Sequence, residues 1–186
     1  MNLLFGVVFV IWIGSEVTLS SIMREKRVTG SNSDRNTLRA IWIVTVSAVI
    51  IAALVSRFTN FPIGPMPAFR YVGIAIIVSG VVLRISAIVS LGRMFTYNVA
   101  IRDGHELVTA GLYRLVRHPS YTGMLITFAG YGFALNNWLG FAVAFIPVFV
   151  VMRKRMAIEE AVLLRQFGDV YAAYMKRSWR LVPWIF

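Results

Sequence analysis

From Tyr121 to Met152 the chain carries no charged side chain. A helix rises 1.5 Å per residue and crosses a hydrocarbon core of about 30 Å in about twenty residues, so a run of about thirty is too long for one crossing. The stretch predicts two helices, with the turn at Asn136-Asn137. Three more runs have the same character: Leu3 to Met23, interrupted only by Glu16; Ala40 to Ser56, uncharged; and Tyr71 to Leu91, with Arg84. The first is too long for a signal-peptide core, and with no preceding basic residue or small-residue cleavage site it reads as a retained span. The expectation is an all-α polytopic membrane bundle of about five transmembrane helices. Its spans are about 3–23, 40–56, 71–91, 121–135 and 138–152, in a single membrane domain over 1–186.

Composition narrows the chemistry. With no cysteine, the chain has no disulfide framework, thiolate metal site or cysteine nucleophile. Two histidines, His105 and His118, are too few for a multi-histidine centre, so no metal is expected. A formal charge of +11 raises the question of nucleic acid, but in a chain that is 58% hydrophobic the placement of the charges matters more than their sum. Of the nineteen basic residues, five follow the first span, four lie between the third and fourth, and seven are in the C-terminal tail, all on one side. Arg57 and Arg70 fall on the other side and Arg84 within a span. The positive-inside rule places the N-terminus outside and the C-terminus in the cytoplasm, as in a multi-pass protein of the cell inner membrane, and no nucleic-acid partner is expected. Glu16 and Arg84 each lie about seven residues, roughly 10 Å, from the cytoplasmic ends of their spans. Charges at that depth are costly alone and can meet as a pair between the first and third helices.

The polar segments 92–120 and 153–186 then face the cytoplasm together and can build a site at the inner interface, open to water on one wall and lipid on another. The outer loop FPIGPMP, Phe61 to Pro67, cannot be helical. In the tail, Leu163, Leu164, Phe167, Val170, Tyr171 and Tyr174 recur at helical spacing, an amphipathic helix bent at Gly168. Arg155 and Glu159 stand four apart on one face of it, with Glu160 about 100° away. Alone, that is an ordinary surface ion pair. His118 precedes Pro119, which suits the first position of a helix, so the imidazole is held at a helix N-terminus, a place suited to an anionic group.

HELVTAGLYRLVRHPSYTG from His105 to Gly123, followed by RMAIEEAVLLRQFGDVYAAY and a closing RLVP, resembles the isoprenylcysteine carboxyl methyltransferase family, integral membrane enzymes using S-adenosyl-L-methionine. The likeness covers Gly92 to Pro183; the first two spans match only in kind. It implies a cofactor site formed by the cytoplasmic loop and the amphipathic C-terminal helix. It also implies cofactor-binding roles for Asn98, His105, Glu106, Leu107, Val108, Tyr113, His118, Pro119, Ser120, Tyr121 and Glu159, with Arg155 engaging the substrate and Arg155 and Glu159 as the catalytic pair. The residue types fit: Glu159 suits the ammonium of the cofactor, His118 and the helix start its carboxylate, and the tyrosines its sulfonium. A carboxylate acceptor is already ionised at pH 7 and needs little general-base help, and Arg155 can hold it as a fork. The implied partner is a lipophilic, prenylcysteine-like acceptor entering from the bilayer.

Two enzymes with related C-terminal layouts are alternatives. NADPH-dependent membrane sterol and steroid reductases carry a His-Pro-Asn-Tyr element, where this chain has Ser120. Phospholipid N-methyltransferases present an amine, for which Arg155 is a poor partner. A non-enzymatic membrane protein with an aromatic anchor accommodates each residue singly, but not the ordered combination.

Overall fold

The computed structural model describes residues 3–24, 32–92 and 107–185. Six α-helices account for most of them: α1 (Leu3–Arg24), α2 (Asn32–Phe58), α3 (Ala68–Leu91), α4 (Pro119–Leu135), α5 (Trp138–Phe167) and α6 (Asp169–Arg177), with a short 3-10 turn at Gly111–Arg114. Among the described residues β-structure is limited to one parallel bridge between Val116 and Trp179. Leu3–Ser21, Asn36–Phe58 and Ala68–Leu91 are long and apolar enough to cross a membrane, with mean hydropathies of 2.0, 2.4 and 2.4. Large apolar side chains project from all three, including Val10, Ile11, Ile43, Leu54, Val82 and Val89. In a water-soluble fold that much exposed aliphatic surface would be an aggregation liability; against lipid it is the ordinary exterior of a bundle. α4 has 17 residues and its rise is about 25 Å, short of a full core on its own.

α3 and α4 pack most closely, because small residues recur where their backbones meet. A Cβ built on Gly123 would fall 2.6 Å from the backbone nitrogen of Arg84, and one on Gly130 would fall 2.6 Å from that of Ile77. Helices in lipid gain little from burying apolar area and associate through such close approach. On the other side Tyr131 donates to the Val49 carbonyl at 3.0 Å, tying α4 to α2. Phe5, Trp12, Ile77, Phe128, Val148 and Met152 are among the buried residues of the shared core.

The uncharged run folds as α4 and α5, separated by two asparagines that each brace the tip. Asn136 adopts the left-handed conformation, φ 50°, accepts from the amides of Ile63 and Gly64 at 3.2 and 3.1 Å and donates to the Gly64 carbonyl at 2.9 Å. Asn137 caps α5 by accepting from Gly140 N at 2.9 Å and donates to Thr59 O at 3.1 Å. The Pro-rich segment thereby becomes the non-helical strap on which the hairpin tip rests.

One boundary differs from the sequence expectation. The hydrophobic span was expected to end at Met152, with a separate amphipathic helix beyond it; α5 instead continues unbroken through the charged Arg153-Lys154-Arg155 run to Phe167. Nothing in that run breaks a helix, and the chain turns only at Gly168, φ 52°. α5 thus carries Arg155, Glu159 and Glu160 on a rigid extension of the bundle. The Glu16–Arg84 pair is present: Arg84 Nε lies 2.6 Å from Glu16 Oε1 and Nη2 donates to Oε2 at 2.9 Å.

Candidate active site

His118 is placed by the backbone on both sides. Pro119 opens α4 at a position where a missing N–H costs nothing, and the His118 carbonyl accepts from the amides of Tyr121 and Thr122, both at 3.0 Å. The chain after α6 runs beside it: Arg117 N donates to Trp179 O at 2.7 Å, His118 N to Arg180 O at 3.2 Å, and Thr122 Oγ1 to Leu181 O at 2.8 Å. The closing RLVP of the sequence is therefore a strap across the start of α4.

The α5 extension delivers two neighbouring carboxylates to the two nitrogens of this buried imidazole. Nε2 lies 3.2 Å from Glu160 Oε1, and Nδ1 lies 3.9 Å from Glu159 Oε2. The Tyr121 ring stacks on His118 with centroids 5.5 Å apart, and its hydroxyl donates to Glu159 Oε2 at 2.8 Å. The same hydroxyl is within hydrogen-bonding reach of Arg155, which is 2% exposed. Arg155 and Glu159, a surface pair by spacing alone, thus meet at Tyr121. The Glu159 side chain stays about a third open, 32%, whereas that of Glu160 is 5% exposed.

Glu160 is the most heavily bonded group here. It accepts from Arg117 Nε at 3.0 Å and Arg180 Nε at 3.1 Å, as well as from Arg180 Nη2. Burial pushes its carboxyl up, but the bonds from His118, Arg180 and Arg117 outweigh burial and hold it at about 2. Arg117 Nη1 also donates to the carbonyls of Met175 and Ser178, capping α6. The sequence reading gave no role to Glu160, Arg117 or Arg180. Their signal was their position, each adjoining a motif residue: Arg117 before His118, Glu160 after Glu159, and Arg180 at the start of RLVP.

The remaining candidates divide. Tyr113, in the 3-10 turn, is buried, donates to Ala87 O at 3.2 Å and accepts at its carbonyl from Tyr174 Oη at 2.5 Å. Its hydroxyl is raised above the usual phenol range by burial and then by the charge of Glu159. Leu107 and Val108 lead into that turn, half-buried. Ser120 faces away toward α3, where its Oγ accepts from Arg84 Nη1 at 3.0 Å. Asn98, His105 and Glu106 lie outside the described residues. Among the described residues no group of three or more His, Asp or Glu is arranged to hold a metal ion.

The donor set fits a zwitterionic sulfonium cofactor. It offers a part-exposed carboxylate in Glu159 for an ammonium, the start of a 17-residue helix for a carboxylate, and the aromatic ring of Tyr121 for a sulfonium. Between α1, α2 and α4 lies an apolar groove of about 220 Å³ lined by Trp12, Trp42, Val49, Met124 and Phe128, with Glu16 at its edge.

Comparison with known proteins identifies the relatives of this chain. Residues 69–170 match the phospholipid methyltransferase family model. A relative from Oryza sativa subsp. indica, "Probable protein-S-isoprenylcysteine O-methyltransferase", is 30% identical over 98% of this chain and 95% of its own length. Protein-S-isoprenylcysteine O-methyltransferase B of Arabidopsis thaliana is 39% identical over 61% of this chain and 58% of its own. The solved structure of a eukaryotic intramembrane Ras methyltransferase, an isoprenylcysteine carboxyl methyltransferase, superposes with a TM-score of 0.71 at 27% identity. That match covers 97% of this chain and 65% of the other. A chain that matches the rice relative from end to end and shares this fold belongs to the isoprenylcysteine carboxyl methyltransferase family of membrane methyltransferases.

Proposed function

We propose that this protein transfers a methyl group from S-adenosyl-L-methionine to the carboxylate of a lipophilic, prenylcysteine-like acceptor that reaches the site from the bilayer. The observation that carries the reading is the meeting of Arg155, Glu159 and His118 around Tyr121 at the end of the apolar bundle. When bound, the cofactor supplies an electrophilic methyl on a sulfonium. Glu159 would hold its ammonium, the start of α4 its carboxylate, and the rings of Tyr113 and Tyr121 would favour its positive charge. Arg155 binds the acceptor carboxylate through its planar fork, aligning one oxygen with the methyl group. Because that oxygen is already anionic at pH 7, the protein contributes orientation and exclusion of water in place of a general base. The apolar groove between α1, α2 and α4 takes the hydrocarbon part of the acceptor.

In the proposed orientation α4 and the first half of α5 complete five crossings, and the α5 extension, α6 and the tail lie on the cytoplasmic side against anionic headgroups. Methylation of a phospholipid amine is the second reading, favoured by the description of the matching family model; a guanidinium is a poor partner for an amine and a good one for a carboxylate, which favours the anionic acceptor. Radiolabelled methyl transfer with the purified protein decides between them. Incorporation into an N-acylated prenylcysteine and none into phosphatidylethanolamine is expected. The opposite pattern, or binding of NADPH without binding of S-adenosylhomocysteine, would overturn the proposal.

A further inference from the structure

The contacts of His118 carry more information than its burial. Glu160 receives two guanidinium groups, from Arg117 and Arg180, and is an ionised, acceptor-only carboxylate. The imidazole nitrogen 3.2 Å from it must therefore carry hydrogen, which fixes Nε2 as the donor. In a neutral ring Nδ1 is then bare. It faces Glu159 Oε2 across 3.9 Å, too far for a hydrogen bond between them, and that oxygen already accepts from Tyr121. Two acceptors consequently stand 3.9 Å apart, and neither supplies the other with a proton. Beyond Glu159 and Glu160, the charged and titratable groups around the ring among the described residues include Tyr121 stacked on it, Arg155 through Tyr121, Arg117 and Arg180 on the far side of Glu160, and the Tyr171 and Tyr113 hydroxyls, which feel the charges of these carboxylates.

Resting on the methyl-donor reading above, we propose that Glu160 is a positioning residue that fixes the His118 imidazole in its Nε2–H form. The bare Nδ1 and the Glu159 carboxylate then act as a paired acceptor for a primary ammonium, the amino-acid end of the methyl donor. A primary ammonium carries three donors and can reach both acceptors across such a gap. His118 is thereby reassigned from the anionic end of the ligand, where its place at a helix start had put it, to the cationic end. The start of α4 keeps the carboxylate through the Ser120 amide, since Pro119 has no N–H and the amides of Tyr121 and Thr122 donate to the His118 carbonyl.

Nitrogen-15 NMR of the full-length protein in lipid nanodiscs, with ring-labelled histidine at neutral pH, tests this directly. With two histidines in the chain, a His105→Gln variant assigns the signals. The expected spectrum has one protonated and one bare nitrogen on His118, the bare one being Nδ1, and a shift of Nδ1 when S-adenosylhomocysteine is added. A proton on Nδ1, or on both nitrogens, would overturn the proposal. In Glu160→Gln the side-chain amide can donate to the ring, so the tautomer preference is lost. Affinity for S-adenosylhomocysteine should fall about tenfold, the scale of one charge-assisted hydrogen bond, while a deaminated analogue binds both proteins alike. Equal loss for both ligands would point to general damage and against an ammonium role. If Glu160→Gln does not fold, the wild-type tautomer still decides. If the wild type binds no S-adenosylhomocysteine, the methyl-donor reading and the ammonium site fall together, and the tautomer alone reports on Glu160.

Discussion

Tyr121 converts an i,i+4 pair into a site. By spacing, Arg155 and Glu159 are two solvated charges on a helix; in the fold both converge on one phenol hydroxyl that also stacks against His118. They should therefore fail differently when changed. If Glu159 holds the ammonium as proposed, Glu159→Gln should weaken S-adenosylhomocysteine binding roughly tenfold to a hundredfold by calorimetry. Arg155→Lys keeps the charge but loses the fork, and should leave that affinity near wild type while turnover falls about a hundredfold, the scale of a small misplacement of reacting atoms. Acid should expose a different residue. The Glu160 carboxyl is held at about 2, below its ordinary 4.5, so the stability it contributes is fully present above 4.5 and is lost as pH falls from there toward 2. Thermal melts from pH 6 to about 3 should show an acid decline in the wild type that is blunted in Glu160→Gln. The motif residues His118, Tyr121, Arg155 and Glu159 stood out in the sequence because their types and order are distinctive, and the fold brings them together. Glu160, Arg117 and Arg180 could not, because their partners come from three distant segments and a charge beside a motif looks like any solvated charge.

The α3–α4 seam sets where these residues stand. Gly123 and Gly130 bring the two backbones into contact, which fixes the height of Pro119 relative to Arg84 and lets the guanidinium reach both Ser120 on α4 and Glu16 on α1. A charge buried this deeply is costly once its partner is gone. Glu16→Met or Arg84→Met alone should destabilise the detergent-solubilised protein by about 3–5 kcal/mol, whereas the double change Glu16→Met with Arg84→Met should recover most of that loss. Additive losses in thermal melts would show that the two side chains are not coupled. The pair itself was legible from depth alone, since each charge sits a similar distance from the same membrane face. The length of α5 was not. Hydropathy reports where lipid ends and says nothing about where a helix ends, and the Arg153-Lys154-Arg155 run has good helix propensity, so the helix outlasts its span by about four turns.

Taken whole, the molecule is an apolar bundle with one charged end, and two measurements test that asymmetry. The natural chain has no cysteine, so single cysteines can be introduced without background. In sealed vesicles of known orientation, Arg165→Cys should react with a membrane-impermeant maleimide on the cytoplasmic face and Asn60→Cys only from the opposite side. The reverse pattern would invert the topology read from the basic residues. The groove between α1, α2 and α4 allows a sharper test. Met124 lines it one turn along α4 from Ser120 and Tyr121, and Glu16 at its edge is bonded through Arg84 to Ser120, so its inner end lies against the same helix start that carries the site. An aliphatic chain entering from lipid would fill it without desolvating any charge of the site. Bulky substitution in the groove, Val49→Trp or Thr45→Phe, should then raise KM for a long prenylcysteine acceptor severalfold, affect a short-chain analogue less, and leave S-adenosylhomocysteine affinity unchanged, because none of the residues proposed to hold the cofactor lines it. A uniform loss of affinity for cofactor and acceptors alike would mean that the groove only packs the bundle, and the lipophilic chain would have to enter by another face.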